Sequence, residues 1–292
     1  MSAGTRSVCP PEVLTRIADL ELVARIIVEG LVSGLHRSPF HGYSAEFSQY
    51  RHYRPGDDLK YVDWKLAART DRVYTKQFRE TTNMAAGLVI DTSASMAFES
   101  KLRYGAIVAA ALAYVISRQG DAIGLAASAD GGDVFLPART GRPHLSRVLA
   151  ALSSMTALGR WRPRQAIRHA AERLRRRGML IVISDFYDDE ATIFDELRRA
   201  SRIGHEVVVF QLLSREELEF PYSRDLEFVD LENGDKAAVD ASAARHAYKD
   251  AIAAFVERCR ARAGSEGFQY TLLTTDTPPE RALRNFLIGR SA

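Results

Sequence analysis

The sequence predicts an α/β fold in which a doubly wound, mostly parallel sheet follows an N-terminal helix and a small β-rich lobe. Three observations carry this prediction. Apolar runs without polar alternation, Leu88-Val89-Ile90 and Met179 to Ile183 foremost, read as strands buried on both faces. Segments of helical period separate these runs, as strand–helix–strand units of a parallel sheet require. Between Gly34 and Thr82, by contrast, glycine, proline and aromatic residues interrupt short extended stretches.

The elements follow in order. Pro11 to Leu31 reads as an amphipathic helix, with Leu14, Ile17, Leu20 and Val23 or Ala24 on one face. Arg54-Pro55-Gly56-Asp57 is a turn, because proline fixes φ and glycine tolerates positive φ. Val73 to Phe78 reads as a strand. Strand Gly87 to Ile90 opens the main domain, followed by an alanine-rich helix over Tyr104 to Arg118. Ala122 to Ala127, Met179 to Ile183, Val207 to Leu213 and Tyr270 to Leu273 are further strands. Helices fall at His144 to Leu152, Pro163 to Arg176, Ile193 to Arg202 and Pro279 to Ile288. Asp225 to Asp240, with Asn233-Gly234 at its centre, reads as a hairpin near one edge. The expected boundaries are 1–80 for helix and lobe and 81–292 for the α/β domain.

With 292 residues, 46% of them hydrophobic and 26% charged, the chain can bury a core without covalent staples. Its cysteines, Cys9 and Cys259, stand far apart with no Cys-x-x-Cys or Cys/His cluster. That excludes a disulfide framework and a zinc-finger pattern, and the expected location is the cytoplasm. Met1 to Pro11 is polar, and charged residues break every apolar stretch before the ~18 residues a membrane span needs, so neither a secretory signal nor a span is expected. A net charge of +3 does not imply nucleic acid. The cluster of Arg173, Arg175, Arg176 and Arg177 suits a helix C-terminus, and no aromatic stacking platform accompanies it.

Ligands of open α/β sheets collect beyond the carboxyl ends of the strands. Two apolar strands here end in oxygen-bearing residues: Asp91-Thr92-Ser93-Ala94-Ser95 after the first, and Ser184-Asp185-Phe186 after Ile183. Asp91, Ser93 and Ser95 present one carboxylate and two hydroxyls from one loop, and Asp185 adds a second carboxylate. An all-oxygen set of this kind suits a hard divalent cation, Mg2+ or Mn2+ before zinc. The alternative reading of the same residues is a turn whose Asp and Ser side chains cap backbone amides.

Asp91-x-Ser93-x-Ser95 with Asp185 resembles the metal-ion-dependent adhesion site of von Willebrand factor A domains. Phe47 to Asp58, then Val62-Asp63-Trp64-Lys65 and Ala68-Arg69, is similar to the signature of the bacterial family called domain of unknown function 58, which precedes a von Willebrand A-like domain. Gly120-Asp121, Ser184-Asp185-Phe186 and the run near Thr275 match it too. The resemblance implies a non-enzymatic interaction module, an accessory or adaptor of a MoxR-type AAA+ ATPase in assembly or maturation of another complex. It implies an acidic partner group bound at a cation held by Asp91, Ser93, Ser95 and Asp185, and a client protein of unknown identity. The sequence departs from the pattern at one place. The position of the threonine expected before the third helix falls near Trp161, and the nearest upstream hydroxyl is Thr156. Arg160 and Arg162 flank it and could meet an acidic partner directly.

Asp57, Asp58, Asp63, Arg51, Arg54 and Arg69 read as an ion-paired scaffold joining lobe to main domain. Among enzymes, the alternative is a haloacid-dehalogenase-like phosphohydrolase with Asp91 as nucleophile. Its general acid would stand two residues on, where this chain has Ser93. No Gly-x-Ser-x-Gly elbow or Walker-type phosphate loop is present.

Overall fold

The computed structural model describes residues 19–32, 45–55, 57–70, 72–80, 84–174, 177–187, 189–222, 225–229 and 236–291. It divides into two compact units, one formed by Phe40–Asn83, the other by Met1–Pro39 with Met84–Ala292. The first described helix, α1 (Leu20–Val32), starts at Asp19, whose carboxylate accepts the N–H groups of Glu21 and Leu22 at 2.9 and 3.1 Å. Its Val23, Ala24, Ile27, Val28 and Leu31 are buried. They meet the helices Lys101–Arg118, Arg142–Ser154 and Pro279–Ser291. The sequence grouped this helix with the lobe in 1–80; here α1 groups with the large unit, because its apolar stripe needs an apolar partner and the alanine-rich helix supplies one. Residues 11–18 of the expected helix lie outside the described residues.

The small unit is a hairpin with a helix in its connection. Strand β1 (Ala45–His52) pairs antiparallel with β2 (Tyr74–Glu80), and α2 (Trp64–Thr70) lies between them in sequence. The expected strand at 73–78 is β2. Asp57 fastens the turn: its carboxylate accepts from the Arg54 N–H at 2.9 Å, the Arg51 guanidinium at 2.7 Å and the Thr75 hydroxyl at 3.2 Å. Asp63 caps α2 by accepting the Leu66 N–H at 3.0 Å, and its other oxygen takes the Tyr50 hydroxyl at 2.8 Å and the Lys76 ammonium at 3.0 Å. The ion pairs of Asp57 and Asp63 therefore lie within the lobe and shape its hairpin, where the sequence suggested a scaffold between domains.

The large unit holds a six-stranded sheet of β3 (Ala85–Ile90), β4 (Ala122–Ala129), β5 (Gly132–Arg139), β6 (Met179–Ser184), β7 (Glu206–Leu213) and β10 (Gln269–Thr274), in the order β10-β7-β6-β3-β4-β5. Neighbouring strands run parallel except β5, which returns antiparallel on β4. The predicted α/β class, with 88–90 and 179–183 as central strands, is what the structure has. A second sheet pairs β8 (Asp225–Val229) with β9 (Lys236–Asp240), the hairpin expected there. The sequence reading missed β5, a half-buried edge strand containing Pro137, and the 25-residue helix α8 (Ala241–Ser265).

Helix α3 (Lys101–Arg118) covers one face of the sheet, where a side chain at Gly105 would touch Ile183 and Leu212 at 3.3 and 3.4 Å. On the other face Val89, Leu180, Val182, Val207 and Val209 share a core with Ile167 of α5 (Pro163–Arg173), Phe194 of α6 (Glu190–Arg202) and Cys259 of α8. Helix α4 (Arg142–Ser154) lies over β4 and β5, and α9 (Pro279–Ser291) sets Phe286 edge-on against Phe210. The chain winds outward from β3 through β4, then crosses back to β6, β7 and β10. The winding reverses between β3 and β6, which is where such sheets open a crevice.

The Leu66 N–H, then Lys76 and Tyr50, hold the Asp63 carboxyl far below the usual carboxylate range. A depressed folded value means that its contribution is present above the unfolded value of about 4 and is lost as pH falls through the folded one. An Asp63→Asn chain should be less stable than wild type near neutrality, with the difference shrinking below about pH 4. Thermal melts across that range check this, and a difference independent of pH contradicts it.

Candidate functional site at the switch point

Asp91 and Ser184 are brought together by the sheet itself. The ladder pairs Ile90 with Ile183, and the Asp91 N–H continues it by donating to the Ile183 carbonyl at 3.0 Å. Beyond it, the Ser184 hydroxyl donates to Asp91 Oδ2 at 2.5 Å and accepts the Phe186 N–H at 2.9 Å. Asp91 Oδ1 accepts the Ser93 N–H at 2.8 Å, closing a tight turn. Ser93 and Ser95 share a hydroxyl–hydroxyl bond of 2.9 Å. Burial, then the negative charge of Asp185, raise the Asp91 pKa to about 7 against the bonds from Ser184 and Ser93.

Asp185 follows at the end of β6, where Phe186 takes a left-handed φ of 66° and turns its ring into the core beside Phe194. Asp185 Oδ1 accepts the Tyr187 N–H at 3.1 Å. Its other oxygen, Oδ2, receives the Lys101 ammonium at 2.7 Å, and the same ammonium donates to Glu217 Oε1 at 2.7 Å. Lys101 is wholly buried, and Asp185 is 1% exposed. Burial pulls the lysine down, but the charges and hydrogen bonds of Asp185 and Glu217 outweigh it and hold the ammonium above its ordinary pKa.

Local structure aims each member of this group. A 3-10 turn at Ala94–Ser100 ends with Glu99 and Ser100 at φ 45° and 59°, and this reversal delivers Lys101 as the first residue of α3. A cation there opposes the helix dipole, so its place depends on the two carboxylates. Glu217 sits in the five-residue helix α7 (Arg215–Glu219) and completes a capping box with Ser214: the Glu217 N–H donates to Ser214 Oγ at 3.1 Å, and the Ser214 N–H donates to Glu217 Oε2 at 2.6 Å. The Tyr187 ring covers the ammonium at 4.9 Å from its centroid. Tyr187, Glu217, Tyr248, Ala251, Ile252 and Phe255 line a neighbouring cavity of about 310 Å³. Neither Lys101 nor Glu217 was singled out from sequence. The available signals were a lysine at a helix start and the Ser-x-x-Glu of a capping box.

The loop that precedes α5 closes the other side. Ala94 donates to the Gly159 carbonyl at 2.8 Å, and Leu158 donates to that of Thr92 at 3.0 Å. Gly159 has a φ of +68°, and a side chain there would collide with Asp130. Trp161, where the pattern has threonine, bridges to Ala129 and buries its ring in the core. Arg162 is a brace: it donates to the Ala129 carbonyl at 2.9 Å and lies 3.5 and 3.8 Å from Asp130 and Asp133. Arg160 is exposed, its backbone N–H held by Asp130 Oδ2 at 3.0 Å.

A magnesium ion requires oxygens turned to one point at about 2.1 Å. Here Asp91 is engaged by Ser93 and Ser184, the two site serines by each other, and Asp185 by Tyr187 and an ammonium. Trp161 brings no hydroxyl, and no cluster of three or more His, Cys, Asp or Glu among the described residues could hold a metal ion. As folded, the donor set turns fewer open oxygens toward the Mg2+ or Mn2+ of the sequence expectation. The reason is a lysine that already bonds one of the oxygens.

Comparison with known proteins places these features in a family. The family model described as "Protein of unknown function DUF58" matches residues 49–258. An uncharacterized protein of Mycobacterium tuberculosis (strain ATCC 25618 / H37Rv) is 30% identical over 233 residues, covering 77% of this chain and 72% of that protein. Among solved structures, the conserved hypothetical protein BatB from Bacteroides thetaiotaomicron aligns with a TM-score of 0.46 at 15% identity, over 70% of this chain and 98% of that one. The VWA domain of SpRpn10 aligns with a TM-score of 0.41 at 10% identity, over 68% of this chain and 93% of that one.

Removing the Ser184 hydroxyl takes one of the bonds to a buried carboxylate and the acceptor of the Phe186 N–H. Ser184→Ala should therefore destabilise the chain by about 2–3 kcal/mol. Urea denaturation measures this, and an unchanged midpoint contradicts the network as described.

Proposed function

The chain belongs to the family of proteins of unknown function DUF58, and from that premise we propose that it is a non-enzymatic protein-interaction module. On this reading it serves a MoxR-type AAA+ ATPase as accessory or adaptor, in the assembly or maturation of another complex, and receives its partner on the switch-point loops. One observation carries the reading: a sealed polar cluster is rimmed by exposed apolar side chains. Leu158 is 60% exposed on the loop bonded to Thr92, and Tyr187 is 41% exposed two residues after Asp185. Exposed apolar side chains on loops that border a strand-end site are suited to anchoring a protein partner. Arg160, exposed beside Leu158, supplies the positive charge that would meet an acidic group of that partner.

The site gives no support to the phosphohydrolase alternative. Asp91 is wholly buried with both oxygens engaged, and a nucleophile must reach its substrate. Ser93 also stands in place of the general acid. No helix among the described residues is long and apolar enough to cross a membrane.

The purified chain and the MoxR-type ATPase of the same cell should form a complex. Leu158→Asp with Arg160→Glu should weaken it by more than about tenfold, the scale of losing an interface anchor, without changing the melting temperature. Undiminished affinity in the double variant contradicts the rim as the docking surface. Failure of the wild-type chain to bind contradicts the ATPase as partner.

A further inference from the structure

We propose that the Lys101 ammonium is the resident cation of the switch-point site, so that the chain holds Asp185 and Glu217 together without a divalent metal. This goes beyond the partner reading and does not depend on it. The geometry is that of a built cation site. The ammonium bonds two carboxylates from two different segments at 2.7 Å each and faces the Tyr187 ring, and no part of its side chain reaches solvent. The carboxylates are themselves fixed, Asp185 by the Tyr187 N–H and Glu217 by its capping box. A dication on the same Asp185 oxygen would lie no farther than about 5 Å from the ammonium. In a buried setting that repulsion goes largely unscreened.

The position of Lys101 in sequence accounts for the departure seen at Trp161. With a positive charge supplied by the chain, the site needs no hydroxyl donor from the loop before α5. That loop is free to bury a tryptophan and to bond Asp91's own loop through backbone groups alone. Lys101 is tied to Asp185 across 84 residues and to Glu217 across 116, so one charge closes the carboxyl edge from three directions.

Two measurements on the full chain test the proposal. In calorimetry and thermal melts, millimolar Mg2+, Mn2+ or EDTA should give neither binding heat nor a change in melting temperature. Binding of about one ion per chain that Asp185→Asn abolishes overturns it. Second, Lys101→Met should lower the melting temperature by roughly 10 °C, because two buried carboxylates lose their counter-charge. The triple variant Lys101→Met, Asp185→Asn, Glu217→Gln removes all three charges together and should recover most of that loss. If Lys101→Met does not fold, a triple variant that folds carries the same support. A Lys101→Met chain as stable as wild type, or a triple variant no more stable than the single one, overturns the proposal.

Discussion

Three segments remote in sequence meet at one ammonium group: the start of α3, the loop after β6, and the capping box of α7. Removing one partner from a buried ion pair costs about 3–5 kcal/mol, while a whole domain is stable by only about 5–15 kcal/mol. The Lys101 cluster is therefore a constraint on the fold as much as on the site. Its members hold what surrounds them. Asp185 extends the β6 strand end, its carbonyl receives the Gln211 amide at 3.3 Å, and Gln211 in turn accepts the Tyr270 hydroxyl at 2.6 Å. A polar line thus runs from β10 through β7 to the switch point and ends on the lysine. Fully satisfied, such a line fixes one arrangement of loops, which is what a docking surface on those loops requires.

Much of the fold was legible because burial on both faces leaves a plain mark. The strands contain continuous apolar runs at 88–90, 179–183 and 207–210, and helices must cover a sheet built from them. Strand β5 left no such mark. It lies at an edge, half exposed, and carries a proline that an edge tolerates. Helix α8 turns only Ala241, Ile252, Val256, Cys259 and Ala263 inward, a stripe too sparse to stand out in an alanine-rich stretch. The site was half legible. Strand-end position points to Asp91 and to Ser184-Asp185, since the register that pairs Ile90 with Ile183 sets the two strand ends side by side. The pairing of Lys101 with Glu217 depends on a contact across 116 residues that no local pattern announces.

The residues that suggested the family divide by what they do. Asp57 and Asp63 fasten a turn and cap a helix within the small unit. Asp121, buried after α3, accepts the Met84 N–H at 3.0 Å and so sets where β3 begins. Ser184 and Phe186 shape the bend that aims Asp185. A motif can thus mark a family through residues that build its frame. The chemistry at the site depends on what else the chain places there, here a lysine opposite the aspartate. Arg162 shows the same dependence: its part-exposed guanidinium bonds the Ala129 carbonyl and lies near Asp130 and Asp133, so a partner would meet it already engaged.

On this proposal an ammonium, that of Lys101, occupies the cation position of the switch-point site. Crystals of the full chain grown with millimolar Mn2+, with diffraction collected at a wavelength where manganese scatters anomalously, test it most directly. The Lys101 nitrogen should lie within hydrogen-bonding distance of both Asp185 and Glu217, with no anomalous peak at either carboxylate. A manganese peak on Asp185 with the Lys101 side chain turned away would contradict it.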